Sequence, residues 1–300
     1  MKSNGVKKIM IPKTIHICWF SGEEYPPFIK ECIATWKVHM PDCKIRVWDK
    51  NSFDFDSVSF VKEAFQAKKW AFAADYVRLY AVYTEGGLYL DSDVKILKTF
   101  KESWFEYDFF SAHEIHPGHF EEAGGKELLN ASFLPKKQGE PIIGFAVQGA
   151  IFASIPNHPY IKDCLETYQN LKLFEKDGTI DLKKVIIGSV ITPIAEKYGY
   201  TYQDKEQVLK ENMLILPSNI LVGNSIYLDK ESYAVHLING SWRDKKGIEK
   251  FLHLFRNQYP RIFPFVNFID KGFNKTYRTT KKIKKVSHNK IRALIKIISW

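Results

Sequence analysis

Asp91 and Asp93 stand one residue apart, directly after Gly-Leu-Tyr-Leu. In an extended chain, residues i and i+2 point to the same side, so both carboxylates can face one cation. Hard oxygen ligands of this kind suit magnesium or manganese better than zinc. A divalent ion held there would bridge a diphosphate and stabilise its charge as it departs. Asp-x-Asp also arises by chance in polar turns, so its surroundings decide its weight. Gly86-Gly87 precedes the pair and allows close backbone approach. The segment before that carries Asp75 and Arg78 at i, i+3 spacing, on one helical face. Most such pairs are surface ion pairs, but this one lies among Trp70, Phe72, Tyr76 and Tyr80, where charge needs a reason to be tolerated.

The elements that must position these residues follow from periodicity. IPKTIHICWF, residues 11–20, is rich in β-formers and reads as a first buried strand. FIKECIATWKVHMP reads as a helix stopped by Pro41, and KIRVWD as a second strand. This β-α-β order argues for a parallel sheet with helices on its faces. Residues 61–87 are expected to form one long helix ended by Gly86-Gly87. LYLDSDVKI follows as a strand whose apolar part ends at the two acids, where ligands gather in open α/β sheets. SWFEYDFFSAHE and PIIGFAVQGAIFAS read as further strands, HPYIKDCLETYQNLK as a helix, and LILPSNI and YAVHLING as short strands. The stretch from His116 to Glu140 reads as a substrate-side loop.

Composition narrows the classes. Three hundred residues, 45% hydrophobic, are enough for one sizeable core. Cys18, Cys32, Cys43 and Cys164 are scattered, with no Cys-x-x-Cys pair, which argues against a zinc site or a disulfide framework. The first twenty residues make a poor signal peptide and no apolar run is long enough to span a bilayer, so a cytoplasmic protein is expected. The net charge of +10 is local. Ten of the 44 Lys and Arg, and no acid, fall in residues 271–300, leaving 34 of each sign in residues 1–270. A catalytic domain over 1–270 and a basic tail over 271–300 are therefore expected, with no broad groove for nucleic acid. Ile291, Leu294, Ile295 and Ile298 share one helical face of that tail, with Trp300 at the end. That pattern fits docking on an acidic membrane surface, at the inner face of the plasma membrane.

Five stretches, in order, resemble glycosyltransferase family 32, which includes transferases of capsular polysaccharide synthesis, fungal mannosyltransferases and relatives of clostridial toxin glucosylating domains. They are IPKTIHICWF, RVWDKNSF, AFAADYVRLYAVYTEGGLYLDSDV, VQGAIFASIPNHPY and AVHLINGSW, spanning residues 11–242. The resemblance implies a Rossmann-like GT-A fold, a mostly parallel central sheet with helices on both faces. It also implies a nucleotide-sugar donor such as a UDP-sugar, a manganese or magnesium ion, and transfer with retention to a saccharide or lipid-linked saccharide. By position, Trp19 resembles the aromatic near the base and Asn51 a polar contact of the nucleotide or sugar. Asp75 and Arg78 resemble the pair that grips ribose and donor sugar. Asp91 resembles the nucleotide-facing acid, and Asp93 the direct metal ligand. His236, Ser241 and Trp242 resemble the segment that closes over the diphosphate, with His236 a further metal ligand. Gln148 stands where many relatives carry Asn and touches the donor sugar in that reading. Gly188-Ser189 stands where many have Gly-Pro.

Plainer readings compete. Trp19 and Trp242 would serve equally as core aromatics, and His16 reads as a structural histidine. His113, His116 and His119 fit no zinc spacing, and an acceptor loop is the weaker reading of them. No residue stands out as a carboxylate nucleophile, which favours front-face displacement with Arg78 and the metal stabilising charge. A phosphotransferase lacks its phosphate-binding loop here. A toxin-like effector that glycosylates a protein and a non-catalytic sugar-binding protein complete the range of functions that the sequence leaves open.

Overall fold

The computed structural model describes residues 10–137, 139, 142–223 and 227–237. The expected β-α-β opening is present. β1 (Thr14–Cys18) leads into α1 (Pro27–His39) and β2 (Lys44–Trp48), and β1 and β2 pair in parallel. The single long helix expected next is in fact two, α2 (Ser59–Gln66) and α3 (Trp70–Glu85). The break lies at Lys68, whose φ of 54° is left-handed, and it lets the Lys69 N–H reach back to the Ala64 carbonyl. An apolar period runs through both helices, so it could not reveal the break.

β3 (Gly87–Leu90) and β4 (Val94–Ile96) also replace one expected strand. β3 lies in the main sheet, whereas β4 belongs to a separate three-stranded one. A 3-10 turn over Glu102–Glu106 takes the first half of the next expected strand, and β5 (Phe109–Ile115), β6 (Phe145–Val147) and β7 (Ile151–Ser154) follow. The stretch from His116, expected to be a loop, contains the short helices α4 (Pro117–Glu122) and α5 (Gly125–Leu128). The rest is α6 (Pro159–Gln169), α7 (Leu182–Val185), α8 (Ile187–Lys197), β8 (Gln207–Leu209), β9 (Met213–Leu216), β10 (Leu221–Val222) and β11 (Ala234–His236). These elements, apart from the first residues of α1, belong to one compact unit.

The main sheet runs β2-β1-β3-β7-β5-β9-β8, with β6 paired to β5. β2, β1, β3, β5 and β9 point the same way, and β7 is inserted antiparallel between β3 and β5. This is the mostly parallel α/β class anticipated from the sequence. Alternation along the strands feeds two cores. Tyr89, Phe109, Phe152, Met213 and Ile215 face one side and pack with α2, α3, α6 and α8. Ile15, Ile17, Leu88, Leu90, Phe110 and Leu214 face the other, with Trp36 of α1, Trp104 and the small sheet β10-β11-β4. The indole of Trp36 donates to the Val94 carbonyl at 2.7 Å, tying α1 to β4.

Gly86-Gly87 turns the end of α3 into β3, and both residues have positive φ, 64° and 115°. A Cβ on Gly86 would meet Pro12 Cδ at 2.7 Å, and one on Gly87 the Thr14 carbonyl at 2.6 Å. Only glycine fits both the backbone and the space. His16 locks this turn from β1. The Trp48 indole, a donor only, donates to His16 Nδ1 at 3.0 Å, so the proton sits on Nε2, which donates to the Gly86 carbonyl at 2.7 Å.

Burial pushes the His16 pKa down to about 4; Arg46 adds to this and the Gly86 hydrogen bond opposes it. The folded pKa lies below the unfolded one, so the unfolded chain takes up the proton first as the pH falls. The contribution of His16 is therefore complete above about pH 6.5 and is lost progressively towards pH 4, by roughly 3 kcal/mol. Urea unfolding of the wild type and His16→Gln at pH 7.5 and 4.5 checks this. The wild type should lose more stability than the variant over that interval, since glutamine offers the donor and acceptor without titrating.

Candidate active site

α3 is buried almost all round, and it carries Asp75 and Arg78 into the interior at 6% and 4% exposure. Their pairing, Arg78 Nη2 to Asp75 Oδ1 at 2.8 Å, is thus a buried contact and not a surface one. The whole guanidinium is engaged. Nε donates to the Ala74 carbonyl at 3.1 Å, and Nη1 to the Gly149 carbonyl at 2.7 Å and to Asp91 Oδ2 at 3.3 Å. Nη2 also approaches Asp91 Oδ1 at 3.3 Å, and the group lies over the Tyr89 ring, 4.8 Å from its centroid. The Tyr89 hydroxyl donates to Asp91 Oδ1 at 2.8 Å. Burial raises the Asp75 carboxyl to about 7, with the neighbouring charge of Asp91 adding; Arg78 and a backbone hydrogen bond from Ile187, the first residue of α8, oppose.

Asp91 and Asp93 converge by a route other than strand pleating. The Val94 N–H bonds the Asp91 carbonyl at 2.9 Å, closing a turn between β3 and β4. The i, i+2 rule holds one step earlier, where β3 aims Tyr89 and Asp91 to the same side. His236 arrives on β11, which pairs antiparallel with β4 so that His236 stands opposite Val94. Its Nε2 is 3.2 Å from Asp93 Oδ1 and 3.8 Å from Asp91 Oδ2. Burial alone would lower the His236 pKa, but Asp93, Asp91 and Glu114 outweigh it and raise the ring to about 9. The cluster therefore attracts positive charge.

Whether these three residues suit a divalent cation can be judged from their donor atoms. Two carboxylate oxygens and one imidazole nitrogen all lie within 4.8 Å of one another. Ligands sharing one ion with bonds a little over 2 Å are about 4 to 5 Å apart at most. The donor set and its spacing fit. Among the described residues, the buried His236 Nδ1 has no hydrogen-bond partner.

The other residues singled out by sequence lie around this cluster rather than in it. Trp19 follows β1; its backbone N–H bonds the Trp48 carbonyl, its indole donates to the Glu23 carbonyl at 2.7 Å, and its half-buried ring packs edge-on against Tyr25. Asn51 is exposed in the turn after β2, its N–H bonded to Asp49 Oδ1. Both thus lie at carboxyl ends of strands parallel to β3, along the edge that carries Asp91. Gln148 is fully buried and donates to the Leu221 carbonyl at 2.7 Å; among the described residues its Oε1 has no partner. Ser241 and Trp242 lie outside the described residues. His113 is a core residue held by the Tyr200 hydroxyl and the Lys205 carbonyl, and burial lowers its pKa. Tyr89, the Gly149 carbonyl and the Ile187 N–H were not foreseen. Strand parity with Asp91 was the available signal for Tyr89; the other two are backbone groups, which leave no mark in side-chain type.

Lysine in place of Arg78 keeps the charge but cannot serve this fork. Arg78→Lys should destabilise the protein by about 2–4 kcal/mol, because buried acceptors lose their donors. A surface pair would cost under about 1 kcal/mol. Urea midpoints of the two proteins separate these outcomes.

Comparison with known proteins bears on the same residues. A family model described as capsular polysaccharide synthesis protein matches residues 1–168, which include Asp75, Arg78, Asp91 and Asp93. Three solved structures that resemble the chain more distantly are glycosyltransferases. The PaToxG glycosyltransferase is 18% identical, with a TM-score of 0.44 over 63% of this chain and 70% of its own. A glycosyltransferase involved in glycosylation of the major capsid of PBCV-1 is 11% identical, with a TM-score of 0.41 over 80% and 98%. The galactosyltransferase LgtC, solved with donor and acceptor sugar analogues, is 13% identical, with a TM-score of 0.40 over 82% and 96%. No curated protein matches. On the strength of the family match over more than half its length, the chain belongs to the capsular polysaccharide synthesis protein family.

Proposed function

We propose that this chain is a metal-dependent glycosyltransferase that moves a sugar, with retention, from a UDP-sugar to a saccharide or lipid-linked saccharide. The observation that carries the reading is the convergence of Asp91, Asp93 and His236 beside a buried guanidinium, at the carboxyl edge of the sheet. Asp91, Asp93 and His236 would hold the ion. An imidazole among the donors favours manganese over magnesium, which prefers oxygen alone. Bound there, the ion would supply charge stabilisation for a departing diphosphate.

The chain's own groups do the positioning. Arg78 and Tyr89 fix the orientation of Asp91, so that its carboxylate need not reorganise when a substrate arrives. With its three nitrogens engaged by Ala74, Gly149, Asp75 and Asp91, Arg78 works by holding Asp75 and Asp91 rather than by reaching a sugar. Trp19 offers a partly exposed aromatic surface on the β1 side, where a base would stack.

Asp93 is nearly buried, so Asp93→Asn, which keeps its shape, is a better probe than truncation. The expected result is manganese-dependent donor turnover reduced by about a hundredfold or more, with the far-UV spectrum unchanged. Manganese titration of UDP-sugar hydrolysis provides the measurement, and full activity in chelator would overturn the proposal.

The basic tail, residues 271–300, lies outside the described residues. Its pattern supports docking on an acidic bilayer, which would suit a lipid-linked acceptor. The full chain should co-sediment with acidic vesicles at low salt, and a version ending at Asp270 should stay in the supernatant. Equal behaviour of the two removes the tail as an anchor.

A further inference from the structure

Beyond the cation cluster, the carboxyl end of β5 carries a further carboxylate that the proposed function does not use. Alternation along β5 sends His113 into the core against Tyr200 and Glu114 to the opposite face. There Glu114 packs on Gly223, where an added Cβ would meet Glu114 Cγ at 2.8 Å. Gly223 directly follows β10, whose Val222 pairs with Val235, the residue before His236. Glu114 is also one of the three acids whose charge acts on His236. The carboxylate thus borders the cation cluster without being one of its ligands.

Glu114 is held from one side. His116 Nε2–H donates to its Oε1 at 3.1 Å, and the two side chains remain 28% and 22% exposed. His116 is itself fixed by its backbone, the N–H bonded to the Gly144 carbonyl at 2.8 Å and the carbonyl accepting from Phe120. Gly144 has φ of 83°, and a Cβ there would meet Phe120 N at 2.4 Å, so this corner is closely fitted. A carboxylate accepts hydrogen bonds and an imidazole completes the set with a donor or acceptor, a combination suited to a neutral polyol.

Order along the sheet edge assigns the pair its side of the reaction. Trp19 lies at the end of β1 and Asp91 at the end of β3, while β5 stands on the far side of β3 from β1, across β7. Base, diphosphate and reacting sugar laid along that edge would bring the anomeric carbon towards Glu114. We propose that Glu114, oriented by His116, accepts a hydrogen bond from the incoming hydroxyl, a saccharide hydroxyl in transfer and water in hydrolysis, and so positions it for attack. This inference rests on the transferase reading.

The test uses the full chain with manganese and a panel of UDP-glucose, UDP-galactose, UDP-N-acetylglucosamine and GDP-mannose. Wild-type turnover of at least one donor, with calorimetric binding of the matching manganese–nucleoside diphosphate, establishes the reading on which the inference stands. Glu114→Gln should then lower kcat about ten- to a hundredfold, with donor KM and diphosphate affinity unchanged. Gly223→Ala, which displaces Glu114 without removing it, should lower kcat in the same way by a smaller factor, and His116→Gln likewise. An unchanged kcat in Glu114→Gln overturns the proposal. So does a parallel loss of donor KM or diphosphate affinity, which would place Glu114 on the donor side or in the framework. If the wild type neither binds the diphosphates nor turns over any donor, the transferase reading fails and the inference falls with it.

Discussion

A guanidinium removed from water costs several kcal/mol unless its donors and its charge are met, and Arg78 meets both needs with parts of three separate elements. Ala74 and Asp75 come from its own helix, Asp91 from the end of β3, and the Gly149 carbonyl from the turn between β6 and β7. None of these can move without leaving a buried donor or acceptor unpaired. The register of α3 against the sheet is thereby fixed, and with it the direction of the Asp91 carboxylate. The ring of Tyr89 closes the underside of the group. α3 is therefore an apolar helix organised around one cation.

That cation does not neutralise its surroundings. Asp75 and Asp91 contact it directly, with Asp93 and Glu114 beyond, and the excess negative charge favours a proton on His236. A divalent ion would take over that role with more charge in the same place. Burial is the main reason the Asp75 carboxyl is raised despite its ion pair with Arg78, and the charge of Asp91 adds to it. Burial and like charge act together there, and Arg78 only partly offsets them.

Two devices connect the site to the rest of the molecule. Gly86-Gly87, wedged among Pro12, Thr14 and Pro156 and bonded by His16, sets where β3 begins and so where it ends, at Asp91. The small sheet then supplies what β3 lacks. Because β4 leaves the main sheet straight after Asp93 and pairs with β11, a histidine more than 140 residues away stands beside the two acids. Trp36 of α1 holds β4 from behind. β11 is the central strand of that small sheet, between β10 and β4, and His236 stands opposite Val94 of β4.

Much of this was legible in the chain alone, for identifiable reasons. Local rules reach a few residues, and they were enough for β1, α1, β2, α6 and the Gly86-Gly87 stop, for the charged pair within an apolar helix, and for the carboxylates at a strand end. They were not enough where two elements share one period, so the break at Lys68 and the turn at Asp91–Val94 were lost inside continuous patterns. The family pattern suggested His236, but no spacing rule could, since only the pairing of β11 with β4 brings it to Asp93. Likewise the sequence marked Arg78 as charged and out of place, while only the packed structure decided that its donors all turn inward. Side-chain type and spacing determine which residues must be buried or face a ligand; which distant groups they meet is decided by strand pairing, because those contacts join segments that no local period relates.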